Sequence, residues 1–221
     1  MFKKGAVVLA LALIIALLAV ATFSRPDGKV HIFVLGGSKY LSLLVQSQDG
    51  RRLIVGPSSD AEFLERVSKH IPFYEKKIDM VILTSGSQKD LDGLRKHFQL
   101  SQVLVSRESS DEGQVGLVGW QEQSWEGIDV RTFAVPGHSP MVELQYGSRN
   151  VLFVQKDEQA IGEAFPDKSA VDVQVGPYYT RGAWEGDSLA RMFDSNVIYV
   201  NKMVQNVSDN IRVVDDAEIV W

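Results

Sequence analysis

From Val30 onward the apolar and polar positions fall into short runs of β type: VHIFVL at 30–35, LSLLVQ at 41–46 and RRLIV at 51–55. Asp49-Gly50 lies between the last two, a strong short-range signal for a hairpin. Ser59-Asp60-Ala61-Glu62 has the form of a capping box, with Ser59 as N-cap and Glu62 three residues on. It predicts a helix that runs to about His70 and is ended by Pro72. Ile78 to Leu83 (IDMVIL) is almost continuously apolar, which predicts a central strand buried on both faces. Ser87 to Phe98 reads as the helix after it. Further strands are expected at Val103 to Val105, Gly127 to Val135 and Val142 to Tyr146, then at Asn150 to Val154 after a Gly147-Ser148 turn. Val171 to Val175 and Val197 to Val200 bracket a helix around Asp187 to Phe193. Strands come first, then strands alternating with helices, in two halves of similar design. That order predicts an α/β sandwich with a mixed sheet or two sheets. No repeat of 20–50 residues or low-complexity tract interrupts it.

Ahead of Val30 the pattern is different. Met1-Phe2-Lys3-Lys4 is a short basic end, and Gly5 to Phe23 then runs 19 residues without a charge. As a helix this reaches roughly 28 Å, about one bilayer core. Two readings lead, ahead of a third in which it is a buried core helix. Its length favours an uncleaved membrane anchor, while Ala19-Val20-Ala21 fits the small-residue rule for a cleaved signal peptide. Both export the remainder of the chain, and Lys3 and Lys4 against Arg25 orient the N-terminus to the cytoplasm. The expected location is therefore the cell membrane, single-pass, with the domain extracytoplasmic, or secretion if the signal is cleaved. Ser24 to Lys29 reads as a linker, dividing the chain into residues 1–29 (anchor or signal, and linker) and a domain over 30–221.

With 45% hydrophobic and 23% charged residues, the composition is that of an ordinary globular domain with a sizeable core. The net charge is −5, and removing Lys3 and Lys4 leaves −7, the wrong sign for gripping nucleic acid by bulk electrostatics. No cysteine is present, so disulfides and thiolate chemistry are excluded.

Three blocks, in order, carry a resemblance to a known fold. They are KKIDMVILTSGSQKDLDGLRKHF at 76–98, SPMVELQYGSRNVLFVQKDE at 139–158 and VDVQVGPYY at 171–179. Together with the early hairpin they resemble the metallo-β-lactamase fold, and within it the soluble domain of the ComEC DNA-uptake (competence) proteins. The resemblance implies an αββα sandwich, here preceded by one N-terminal transmembrane helix, and a zinc or manganese centre. In the family, the turn after the central strand supplies two His, then Asp and His, to two metal ions. The matching positions here are Ser85, Ser87, Lys89 and Asp90. The next ligand matches Asp157 and is kept, while a later pair of His becomes Pro177 and Tyr178. The family's early acidic loop and its "DGG" become residues 36–42 and Val55-Gly56-Pro57. The resemblance thus implies a degenerate site that retains neither metal, in a bacterial protein.

Only four histidines exist: His31, His70, His97 and His138. His70 and His97 fall near helix ends, where a last-turn His commonly serves the dipole or solvent. His138, next to Ser139 in a Pro-Gly-His-Ser-Pro loop, reads first as a loop histidine and second as a pocket residue. Ser85 to Lys89 at a helix head reads either as an anion site or, more simply, as Ser87 capping the helix with Asp90 completing a capping-box-like pair. A nucleophilic set of Ser87, His138 and Asp157 lacks any G-x-S-x-G elbow. Tyr178, Tyr179, Arg181 and Trp184 read as packing residues or as a stacking surface for bases or sugars.

The leading expectation is a catalytically silent, membrane-held domain that binds a protein partner or ligand or serves structure. The alternatives are a metal-dependent hydrolase of phosphodiesters or related esters with a remodelled site around Asp90, Asp157 and His138, and nucleic-acid binding linked to DNA uptake.

Overall fold

The computed structural model describes residues 11–12, 26–37, 40–85, 87–106, 114–134, 139–154, 173–175, 197–200, 211–213 and 216–221, with backbone alone at 106, 173–175, 197–200, 211–213 and 216. In chain order the elements are β1 (His31–Gly36), β2 (Leu41–Gln46), β3 (Arg52–Val55), α1 (Ala61–His70), β4 (Lys77–Ile82), α2 (Gln88–Arg95), β5 (Gln99–Ser106) and β6 (Val115–Leu117). Next come β7 (Gly119–Trp125), β8 (Ile128–Ala134), β9 (Met141–Tyr146), β10 (Arg149–Phe153), β11 (Val173–Val175), β12 (Val197–Val200), β13 (Ile211–Val213) and β14 (Asp216–Val220).

Among the described residues two seven-stranded sheets form, in the orders β14-β1-β2-β3-β4-β5-β6 and β13-β12-β11-β10-β9-β8-β7. Each is built alike. β14 to β3 pair antiparallel and β3 to β6 parallel; in the second sheet β7 to β10 pair antiparallel and β10 to β13 parallel. The two similar halves expected from the strand order are these two sheets.

Side-chain alternation divides the first sheet between two cores. Ile32, Val34, Leu43, Val45, Leu53 and Val55 point to the second sheet and meet Ile128, Val130, Val142, Leu144, Val151 and Phe153 there. Leu35, Leu44, Ile54 and Val81 point the other way, onto Phe63 and Val67 of α1 and Leu91 and Leu94 of α2. β4 contributes to both cores, which is why IDMVIL reads as an unbroken apolar run. One helical layer and two sheets of an αββα sandwich are therefore described. The helix expected around 187–193 lies outside the described residues. Among the described residues no helix is long and apolar enough to cross a membrane, and of residues 1–25 only Leu11 and Ala12 are described.

Local expectations needed adjusting at the helix ends. The N-cap of α1 is Asp60, not Ser59: its carboxylate accepts the Glu62 amide at 3.0 Å. Ser59 is committed elsewhere, its own amide donating to Asp90 at 2.7 Å. α2 ends at Arg95 rather than Phe98, and Lys96 to Phe98 tighten into a last turn on the carbonyls of Asp92 and Leu94. The hairpins behave as expected, with Gly50 bonded back to Ser47 at 2.9 Å and Gly147 at φ +61° in a two-residue turn.

Strand directions give the sandwich two distinct ends. β3, β4 and β5 run parallel, and β1 points the same way because it is two antiparallel steps from β3. One end thus carries the starts of β1, β3, β4 and β5 with the C-terminal Trp221. The other carries the C-terminal ends of those strands, where ligands bind in open α/β sheets.

Candidate functional site

At the C-terminal end of the parallel strands the chain turns tightly. The fully buried Ser42 hydroxyl donates to the Gly56 carbonyl at 2.5 Å, and the Gly56 amide donates to the Ile82 carbonyl at 2.9 Å. Gly56 has φ +65°, and a Cβ there would lie 2.8 Å from Phe153 Cζ and 3.0 Å from Thr84 Oγ1. Glycine is required twice over, for the left-handed turn and for the approach of the second sheet to the first. Leu83 extends the ladder through its amide to the Leu104 carbonyl at 2.8 Å, and Thr84 is fully buried.

Beyond Thr84 the chain turns from β4 into α2. The Ser85 hydroxyl donates to Asp90 Oδ2 at 2.6 Å and accepts the Ser87 amide at 3.2 Å. Asp90 Oδ1 accepts the Ser59 amide at 2.7 Å, so one carboxylate joins the β3–α1 loop, the β4–α2 turn and the first turn of α2. Its charge is well placed at the positive end of the helix dipole. Ser87 is the N-cap residue by backbone (φ −95°, ψ 114°), but its hydroxyl makes no cap hydrogen bond. The expected Ser87–Asp90 capping pair is thus replaced by a Ser85–Asp90–Ser59 clamp, because Ser85 reaches both the carboxylate and the Ser87 amide. Lys89 is exposed. Gln88 and Gln114 exchange reciprocal amide hydrogen bonds of 3.2 and 3.1 Å, tying α2 to the chain entering β6.

The structure brings Ser85, Ser87, Lys89 and Asp90 together on this turn and puts Ser139, half-buried, just ahead of β9 at the same end. Phe153 and Val175, the last residues of β10 and β11, end there too. His138, Asp157, Pro177, Tyr178, Tyr179 and Arg181 lie outside the described residues, as does Trp184.

A two-metal centre needs several imidazole and carboxylate donors converging within about 2.0–2.2 Å of each ion. The turn offers one carboxylate, with both oxygens already accepting hydrogen bonds, two neutral hydroxyls and an ammonium group. These residues do not fit zinc or manganese. Among the described residues no group of three or more His, Cys, Asp or Glu is arranged to hold a metal ion. The three described histidines all sit at the opposite end: His31 opens β1, His70 closes α1 and His97 precedes β5. His70 stacks on Phe33 with ring centroids 4.0 Å apart, so it packs against the sheet as well as lying in the last helical turn. His31 lies between two carboxylates, Glu218 at 2.6 Å and Asp27 at 2.9 Å. Desolvation works against its charged form, but the hydrogen bonds that its ring donates to Asp27 and Glu218 outweigh it and raise its pKa.

A second recess opens between the sheets at their β6 and β7 edges. It has a volume of about 270 Å³ and is lined by Leu104, Val115 and Leu117 together with Gln121, Glu122, Gln123 and Thr132. Neither edge strand is legible in the alternation of the sequence, because glutamines occupy inward positions of β7 where apolar residues are expected.

No protein-family model and no curated protein matches this chain. Solved structures do. The chain is similar to the metallo-β-lactamase fold protein YhfI of Bacillus subtilis, at 13% identity and TM-score 0.63 over 88% of this chain and 99% of that one. It is similar to a diphosphatase of the PhnP family, at 13% identity and TM-score 0.61 over 87% and 98%. It also matches the short form of human tRNase Z, at 9% identity and TM-score 0.55 over 77% and 91%. At such identities the likeness is one of fold, and the chain has the metallo-β-lactamase fold.

Proposed function

We propose that this chain is a catalytically silent domain of the metallo-β-lactamase fold, held at the extracytoplasmic face of a membrane by its N-terminal segment and retained for binding a protein partner or for structure. The observation that carries this reading is the clamp at the β4–α2 turn. Where the ComEC resemblance implies four metal ligands, Asp90 is the sole carboxylate, and it is spent on Ser85 and Ser59. One carboxylate held by two hydrogen bonds, with serines and an exposed lysine at the other three positions, falls short of the three or four donors that a metal ion needs. The uncharged segment over 5–23 supports the membrane location.

The competing reading is a hydrolase of phosphodiesters or related esters, with a mononuclear site around Asp90, Asp157 and His138. It draws on the fold likeness to a diphosphatase and a tRNase Z. Metal analysis of full-length protein purified without chelator separates the two. The silent domain carries substoichiometric zinc and manganese and hydrolyses bis-p-nitrophenyl phosphate no faster with either metal added. Stoichiometric metal and metal-dependent turnover, both lost in Asp157→Ala, would overturn the proposal. Nucleic-acid binding is disfavoured by the net charge, and salt-sensitive single-strand binding lost in Arg181→Ala would reinstate it.

A further inference from the structure

The end of the sandwich opposite the Asp90 turn carries an exposed aromatic pair on a braced turn. The Glu75 amide bonds back to the Pro72 carbonyl at 2.9 Å, closing a four-residue turn with Phe73 and Tyr74 at its tip. Phe73 is 82% exposed and Tyr74 47%, and their rings meet edge to face with centroids 5.4 Å apart. Behind them Glu75 pairs with the buried Arg52 at the start of β3, and the Lys76 carbonyl accepts the Gln99 amide at the start of β5. The pair is therefore held out toward solvent from two strand starts.

The N-terminal linker arrives at this same end. Pro26 packs on the tip of the β2–β3 hairpin, within 2.7 Å of where a Cβ on Gly50 would be. Val30 enters the sheet by exchanging backbone hydrogen bonds with Trp221 at 3.1 and 2.8 Å. β4 begins three strand spacings from β1, roughly 14 Å away. The uncharged segment ends at Phe23, and residues 24–29 between it and the domain span at most about 20 Å. A domain tethered so closely keeps this end near the bilayer surface. Charge does not oppose that placement, because the carboxylates beside the turn are neutralised: Glu75 by Arg52 and Asp79 by Lys77 at 2.7 Å.

We propose that Phe73 and Tyr74 dip into the headgroup–acyl boundary of the membrane that holds the N-terminal segment, fixing the domain with its Asp90 end directed away from the lipid. Phenylalanine supplies an apolar ring, and tyrosine an apolar body with a polar tip, the pairing suited to that boundary. The inference rests on the membrane tether proposed above.

The absence of cysteine allows clean single-site labelling of the full-length chain. Three variants, Ala12→Cys, Lys76→Cys and Lys89→Cys, are each labelled with an environment-sensitive fluorophore in phosphatidylcholine vesicles, with and without phosphatidylglycerol, containing doxyl-quencher lipids. The expected result is lipid quenching at positions 12 and 76 in both vesicle types, and aqueous iodide quenching at position 89. In a Phe73→Ser/Tyr74→Ser background, lipid quenching at 76 should fall several-fold while that at 12 is unchanged. Quenching at 12 with a water-exposed label at 76, or a label at 76 indifferent to the double substitution, overturns the membrane contact and leaves the tether standing. A water-exposed label at 12 overturns both.

Discussion

Gly56 is the residue on which the approach of the two sheets depends most directly. Its left-handed backbone costs an L-residue about 1–2 kcal/mol, and a Cβ would also press on Phe153 and Thr84. Gly56→Ala should lower the unfolding free energy by about 2–3 kcal/mol, read as a reduced urea midpoint at unchanged slope. Asp90 is a different kind of residue, a polar tie rather than a spacer. Asp90→Ala removes the acceptor for Ser85 and Ser59, at an expected cost of about 1–2 kcal/mol since water can reach the half-buried site. If Asp90 is structural, the loss appears in stability and leaves metal content untouched; a fall in bound metal would contradict that role. That these positions form the turn between a buried strand and a helix was legible in the sequence, from the IDMVIL run and the helix signal after it. Their actual bonding was not, because Ser59 is 31 residues from Asp90 and nothing local announces the contact.

Among the elements, β14 is the one that sequence reasoning missed with most consequence. It is short, begins with an acidic residue, and pairs with β1 from the other end of the chain, so its register is set by a non-local partner. Its outward Glu218 binds His31, whose other ring nitrogen meets Asp27. The raised pKa of His31 means that its stabilising contribution is fully present below its ordinary value of 6.5 and is lost as pH rises through the higher folded value. Asp27 is lowered from 3.8, chiefly by its hydrogen bond to His31, so its contribution is present above that value and is lost as pH falls through the lower folded one. Both ends of the clamp are charged between about pH 4 and 6.5. Wild-type protein should therefore gain stability on going from pH 8 to pH 6 relative to His31→Gln, and equal pH dependence in the two proteins would refute the clamp. The strands legible in the sequence were β1 to β5 and β8 to β12, and β1 to β5 and β8 to β10 alternate or run apolar because a core lies on one or both faces. β7 escaped notice because Gln121 and Gln123 point inward, toward the recess beneath the β6 edge.

At the scale of the whole molecule, two kinds of link join the sheets: a packed apolar interlayer and polar contacts around its rim. Arg51–Glu126 at 2.8 Å is such a rim contact, with the arginine side chain 58% exposed, and exposed pairs contribute about 0–1 kcal/mol. Phe153 is fully buried in the interlayer. Phe153→Ala should cost about 3–5 kcal/mol and Arg51→Ala less than about 1, compared by chemical denaturation. A reversal of that order would mean that the rim, rather than the interlayer, holds the sandwich together. The mirrored architecture of the two halves could be read from strand order and turn chemistry. What sequence could not supply was polarity, the segregation of the described histidines to one end and the Asp90 turn to the other, since that emerges only once strand directions are known.

The position of β1 has a mechanical consequence. It is registered over six residue pairs with β2 and five with β14, and Val30 is bonded to Trp221 at its entry. A pull arriving through the linker along the strand axis loads both ladders in shear, so many hydrogen bonds must rupture together. The same pull on a strand paired along one side, or directed across the sheet, would unzip them one at a time. A domain pulled from its N-terminal side thus resists at the element where the tension enters.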